Sequence, residues 1–120
     1  MRVMIIATST PESESAPRGT EGWEQMAAFQ EELSKAGVLL ASDRLEPSAR
    51  GARVRFERSG LTVTDGPFTE SKELVAGYWI WQVRSRDEAI EWLKRAPFPV
   101  GMELEVRPIV EMEMSGRPRA

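Results

Sequence analysis

The chain contains no cysteine and no histidine. The first absence excludes disulfides, thiolate metal sites and thiol nucleophiles, and the second removes the usual general base and the commonest metal ligand. Chemistry here has to run on carboxylates, lysines, arginines, hydroxyls or the single tyrosine, Tyr78. No apolar run approaches the ~20 residues of a membrane span. Residues 1–7 are too short for a signal peptide and no convincing cleavage site follows them, so a soluble cytoplasmic protein without membrane partners is expected. A net charge of -3 with mixed signs lacks the clustered basic face of a nucleic-acid binder. The glycines are dispersed and form no phosphate loop. Glu12 and Glu14 lie in too irregular a stretch for a metal site, and no cofactor is expected.

What is present fits one domain of 120 residues, long enough to bury roughly two-thirds of its unfolded surface without staples. Residues 2–8 are apolar on both alternating faces, as in an interior strand. Residues 9–19 are rich in Ser, Pro and Glu, show no periodicity and read as a loop. Thr20 is a candidate N-cap for a helix whose stripe is Met26, Phe29, Leu33 and Ala36, and Gly37 ends it. Residues 38–41 form a short strand that runs towards Arg44 and Pro47. Val54 and Phe56, then Leu61 and Val63, alternate with polar residues around Ser59-Gly60, which predicts a hairpin with one wet face. Residues 77–83 carry the strongest strand signal, with aromatic and β-branched side chains on both faces. Ser85 and Glu88 form a capping box for a second helix with Ala89, Ile90, Leu93 and Ala96 inward, stopped by Pro97 and Pro99. Residues 103–109 alternate again. The domain is expected to span residues 1–114, with residues 115–120 frayed.

Strand, helix, strand, hairpin, strand, helix, strand is an α+β order: two right-handed βαβ-type units sharing one mainly antiparallel sheet, the ferredoxin-like plan. Two helices cover one face of such a sheet. Tyr78, Trp79, Ile80 and Trp81 nevertheless make both faces of their strand apolar, so a homodimer that closes the open face is expected.

The stretch from Thr64 to Glu73 crowds special residues between two strand runs. Asp65, ahead of Gly66 and Pro67, has two readings: a carboxylate that caps the turn, or a general acid or base facing a cleft between the sheet and the loop of residues 9–19. Lys72 reads as an exposed helical turn opened by Thr69, or as a cation for an anionic substrate. Arg44 at a strand end offers a bidentate anion contact or a solvated terminus. Tyr78 offers a hydrogen bond to a ligand or a place in the core, and Trp79 and Trp81 wall an apolar pocket or fill the core.

Asp65-Gly66-Pro67-Phe68 between Val63-Thr64 and Thr69-Glu70-Ser71-Lys72-Glu73, then Gly77-Tyr78-Trp79, Asp87-Glu88-Ala89-Ile90-Glu91-Trp92 and Glu105-Val106-Arg107-Pro108-Ile109, resembles the DGPF-domain branch of the YCII-related proteins. The resemblance implies a dimeric α+β barrel of ferredoxin-like protomers, in a superfamily that also holds cofactor-free monooxygenases, lactone isomerases and haem-dependent enzymes. It implies a histidine and aspartate pair, of which Asp65 matches the aspartate and no residue matches the histidine. Two functions follow as expectations. One is a module that binds or transforms a small, partly apolar metabolite at this turn, with Asp65 catalytic and Lys72, Arg44, Tyr78, Trp79 and Phe68 as ligand contacts. The other is a non-catalytic dimerisation or interaction module associated with sigma-factor regulation.

Overall fold

The computed structural model describes residues 1–15, 22–69 and 73–119. Strand β1 is Arg2–Ser9, followed by a short helix α1, Pro11–Ser15, and helix α2, Trp23–Lys35. Strand β2 is Leu39–Arg44, and a single 3-10 turn covers Ser48–Arg50. Strands β3, Ala52–Glu57, and β4, Gly60–Asp65, precede β5, Leu74–Gln82, helix α3, Arg86–Leu93, and β6, Leu104–Pro108. The main sheet has the order β2-β5-β1-β6 with every pairing antiparallel. Because β1 and β2 both oppose β5, they run the same way, and so do β5 and β6, which both oppose β1. Each helix-containing crossover therefore joins strands of like direction, giving a mixed α+β fold compatible with the ferredoxin-like plan.

Alternation along the two central strands assigns the faces. Val3, Ile5, Trp79, Trp81 and Val83 are buried and pack with Phe29 and Leu33 of α2 and Ala89 of α3. Trp79 and Trp81 stack at 5.3 Å between ring centroids, with Phe29 tilted against Trp79 at 5.9 Å. The opposite face carries Met4, Ile6, Tyr78 and Ile80, half-buried by their own neighbours in the sheet. Met4 opposes Ile80 and Ile6 opposes Tyr78, so the four form one apolar block.

The helix ends follow local chemistry. Gly37 takes φ 74, Val38 N–H donates to the Leu33 carbonyl at 2.9 Å and Gly37 N–H to the Ser34 carbonyl at 3.0 Å, the paired bonds that close a helix on a left-handed glycine. Ser85 accepts from Glu88 N–H at 3.1 Å. The Glu88 carboxylate, expected to reach the Ser85 amide, instead accepts from Arg84, at its backbone N–H and its Nε.

Several expectations change. The loop of residues 9–19 contains α1 in its described part. The candidate cap Thr20 lies outside the described residues, and α2 starts from Gly22 at φ 77 with no side-chain cap. The hairpin does not join the main sheet: β3 and β4 pair only with each other, and every residue of both strands is exposed. No described element lies over its apolar side, where Val54, Phe56, Leu61 and Val63 are exposed. Residues 111–119 form a turn in which Arg119 N–H donates to the Glu111 carbonyl at 2.7 Å. Among the described residues, no helix is long and apolar enough to cross a membrane.

Candidate functional site

Where α2 and the loop after α3 diverge over one end of the sheet, they leave a cleft of about 660 Å³. Its apolar wall comprises Met26 from α2, Ile5 and Trp79 from the sheet, and Phe98 from the loop. Phe98 stands 5.7 Å from Trp79, ring to ring. The prolines at 97 and 99 keep this segment from continuing as helix and so hold Phe98 over the opening rather than along α3.

Polar groups enter from three elements. Gln30 of α2 accepts two bonds at Oε1, from the Trp79 indole at 3.2 Å and from the Ser42 hydroxyl at 2.7 Å. An indole N–H can only donate, so the carboxamide oxygen must face it. The Gln30 NH₂ is thereby turned away, with no hydrogen-bond acceptor among the described residues. Arg44, at the end of β2, lines the same cleft and makes no ion pair with a described residue. Asp43 beside it is engaged, accepting from the Tyr78 hydroxyl at 2.9 Å. That bond and the carboxylate charge raise the Tyr78 pKa above its ordinary value, so the phenol stays a neutral donor. Ser9, the last residue of β1, has its hydroxyl oxygen sealed in the wall without a partner.

The Asp65-Gly66-Pro67-Phe68 turn is fastened to the flank of this cleft. Phe68 N–H donates to the Ser48 hydroxyl oxygen at 3.2 Å. Ser48 in turn donates to Glu14 of α1 twice, from its hydroxyl at 2.7 Å and from its amide at 2.8 Å. Gly66 N–H donates to the Gly51 carbonyl at 3.0 Å. Phe68 is buried, with the Arg53 guanidinium 3.8 Å over its ring centre. Glu14 and Pro47 both line the cleft, so turn, 3-10 segment and cleft wall form one clamp.

Of the residues singled out from sequence, the cleft brings together Arg44 and Trp79, while Tyr78 borders it along β5 with its side chain on the opposite sheet face. Asp65 and Phe68 do not line it. The Asp65 side chain is exposed at the end of β4 and makes no hydrogen bond with a described residue. Phe68 is buried beside Arg53. Lys72 lies outside the described residues. Trp81 is sealed in the core. Gln30, Ser9, Glu14 and Phe98 enter only with the structure, since each is placed by packing between elements distant in the chain. Among the described residues, no three acidic side chains lie close enough to hold a metal ion.

Comparison with known proteins adds two findings. Residues 1–113 match the YCII-related domain. An uncharacterized protein of Rhizobium meliloti (strain 1021) is 34% identical over 87 residues, which is 70% of this chain and 69% of that relative.

Proposed function

The chain belongs to the YCII-related family, and from that premise we propose that it is a small-molecule-binding module whose working site is the cleft between α2 and residues 97–102. The observation that carries this reading is the pair of donors without described acceptors, the Gln30 NH₂ and the Arg44 guanidinium, in a wall otherwise built from Met26, Trp79 and Phe98. Small-molecule sites are typically clefts of ~300–1,000 Å³ with apolar walls and a few placed polar groups. A planar cation beside an aromatic wall selects a small, partly apolar anion. Benzoate and 4-hydroxybenzoate are suitable probes in isothermal titration. Wild-type protein binds at least one of them, and Arg44→Ala and Gln30→Ala each weaken binding by roughly ten-fold, the loss of about one charge-assisted bond. Absence of wild-type binding, or wild-type affinity in both variants, overturns the reading.

Two finer statements accompany it. The Asp65-Gly66-Pro67-Phe68 turn supports a reading of the chain as one of the DGPF branch of the family. The uncovered sheet face, with Met4, Ile6, Tyr78 and Ile80, is closed by a second copy in a homodimer of the dimeric α+β barrel type. A monomer in light scattering at micromolar concentration contradicts the homodimer.

A second reading, a non-catalytic interaction module of the kind associated with sigma-factor regulation, is favoured by one observation: Asp65, the only match to the family's proposed pair, stands outside the cleft. Under it, wild-type protein binds neither probe in the cleft. Acid–base chemistry by Asp65 instead requires a substrate seated at the turn, and loss of turnover in Asp65→Asn with the dimer intact is its signature.

A further inference from the structure

We propose that the β3–β4 hairpin is an intersubunit arm whose Val54, Phe56, Leu61 and Val63 face is covered by a second copy of this chain; the inference rests on the homodimer of the preceding section. Val54 opposes Val63 and Phe56 opposes Leu61, so the four side chains form two adjacent cross-strand pairs on one face. They are between 51% and 83% exposed. The other face is polar, with Arg53 opposite Thr64 and Arg55 opposite Thr62. This is the alternation of a strand pair with one side in a core, yet no described residue of the subunit supplies a core there. A lone two-stranded hairpin is at best marginally stable in water and depends on a covered apolar face.

The shape of the subunit agrees. Its radius of gyration is 16.9 Å, against about 14 Å for a compact chain of this length. The extents of 49 × 45 × 19 Å describe a thin, flat body rather than a closed globule.

Area and charge select the occupant. The four side chains offer roughly 400–500 Å², inside the ~300–600 Å² of the largest patch on a typical monomer. A standard interface takes about 800 Å² from each partner. The arm supplies about half of that, and the Met4, Ile6, Tyr78 and Ile80 block supplies apolar surface for the remainder. A two-fold pair brings both patches of both copies into use, because its interface is made of the same surface twice. Residues 50–65 hold Arg50, Arg53, Arg55 and Arg58 against Glu57 and Asp65, a surplus of two positive charges in a chain of net charge -3. The rest of the chain is therefore acidic, and a second copy of it attracts the arm.

Sedimentation equilibrium on wild type, on Phe56→Glu/Leu61→Glu and on Thr62→Glu/Thr64→Glu tests this, with circular dichroism to check folding. The apolar-face variant should raise the dimer dissociation constant by at least about 100-fold, and the polar-face variant by less than about five-fold. Because the chain lacks cysteine, Leu61→Cys and Thr62→Cys report each face separately by maleimide labelling. Labelling of Leu61→Cys should slow as the protein dimerises, while that of Thr62→Cys does not. This measurement decides the matter if the double glutamate variant fails to fold. A monomeric wild type defeats the homodimer and the arm together. A dimeric wild type with an unchanged constant in the apolar-face variant, or with Leu61→Cys freely labelled in the dimer, defeats the arm alone.

Discussion

A methyl group added at Gly66 would stand 1.7 Å from the Ser48 carbonyl oxygen and 2.6 Å from its carbon. Both are backbone atoms, so no side-chain rotation relieves the clash. Gly66 is not among the residues with positive φ, and the penalty of Gly66→Ala is therefore one of contact alone. The turn has to part from the 3-10 segment, losing the bonds from Gly66 to Gly51 and from Phe68 to Ser48. Each is worth about 1 kcal/mol, and partial exposure of the Phe68 ring adds about 1–2 kcal/mol. The sum is a destabilisation of about 3–4 kcal/mol, measurable as a lower urea midpoint at unchanged slope. Gly51→Ala is the matched control: its new methyl would lie 3.5 Å from the same oxygen, an ordinary contact, and should cost less than about 1 kcal/mol. Equal midpoints for wild type and Gly66→Ala would refute the clamp.

Other outcomes follow from single contacts. Ser9→Ala removes a sealed hydroxyl that has no partner, so it should leave the ligand-free protein as stable or raise its stability by up to about 1 kcal/mol; a loss above that, by urea titration, would mean that Ser9 is bonded. Gln30→Ala strips the acceptor from the part-buried Trp79 indole and should cost about 1–3 kcal/mol, while a Gln30→Glu chain, which keeps an acceptor, should lose less. Ser85→Ala deletes the N-cap of α3 and should cost about 0.5–2 kcal/mol in the same assay. The Arg84 contact lowers the Glu88 pKa below its usual value, so its stabilising effect is complete above the unfolded carboxylate pKa and is lost as pH falls through the folded one. Melting temperatures of wild type and Glu88→Gln should accordingly differ near neutrality and converge in acid.

Elements whose signals are local were legible in the residues. Gly37, the Ser85 cap, and the apolar alternation of β1 and β5 each depend on a few neighbours in the chain. They reappear at their expected places, and the strand order is compatible with the expected plan. The hairpin was legible as a hairpin, through Val54, Phe56, Leu61 and Val63. Its separation from the sheet was not, because alternation marks a face to be covered without saying what covers it. The candidate site was legible in part for the same reason. Arg44 and Trp79 lie on strands whose register follows from alternation, and they meet at the cleft. The orientation of Gln30 depends on Trp79, 49 positions away, and the role of Gly66 depends on the Ser48 carbonyl. Neither leaves a mark in its own neighbourhood.

The cleft as the binding site is tested most directly by following the four tryptophan indole N–H signals in a ¹⁵N-labelled sample titrated with benzoate. Trp23 and Trp79 line the cleft, whereas Trp92 lines a separate, shallow hollow near Met1 and Arg84. Saturable shifts of the Trp79 and Trp23 signals with Trp92 unmoved are the predicted result. Shifts confined to Trp92, or none at saturating probe, would contradict the account.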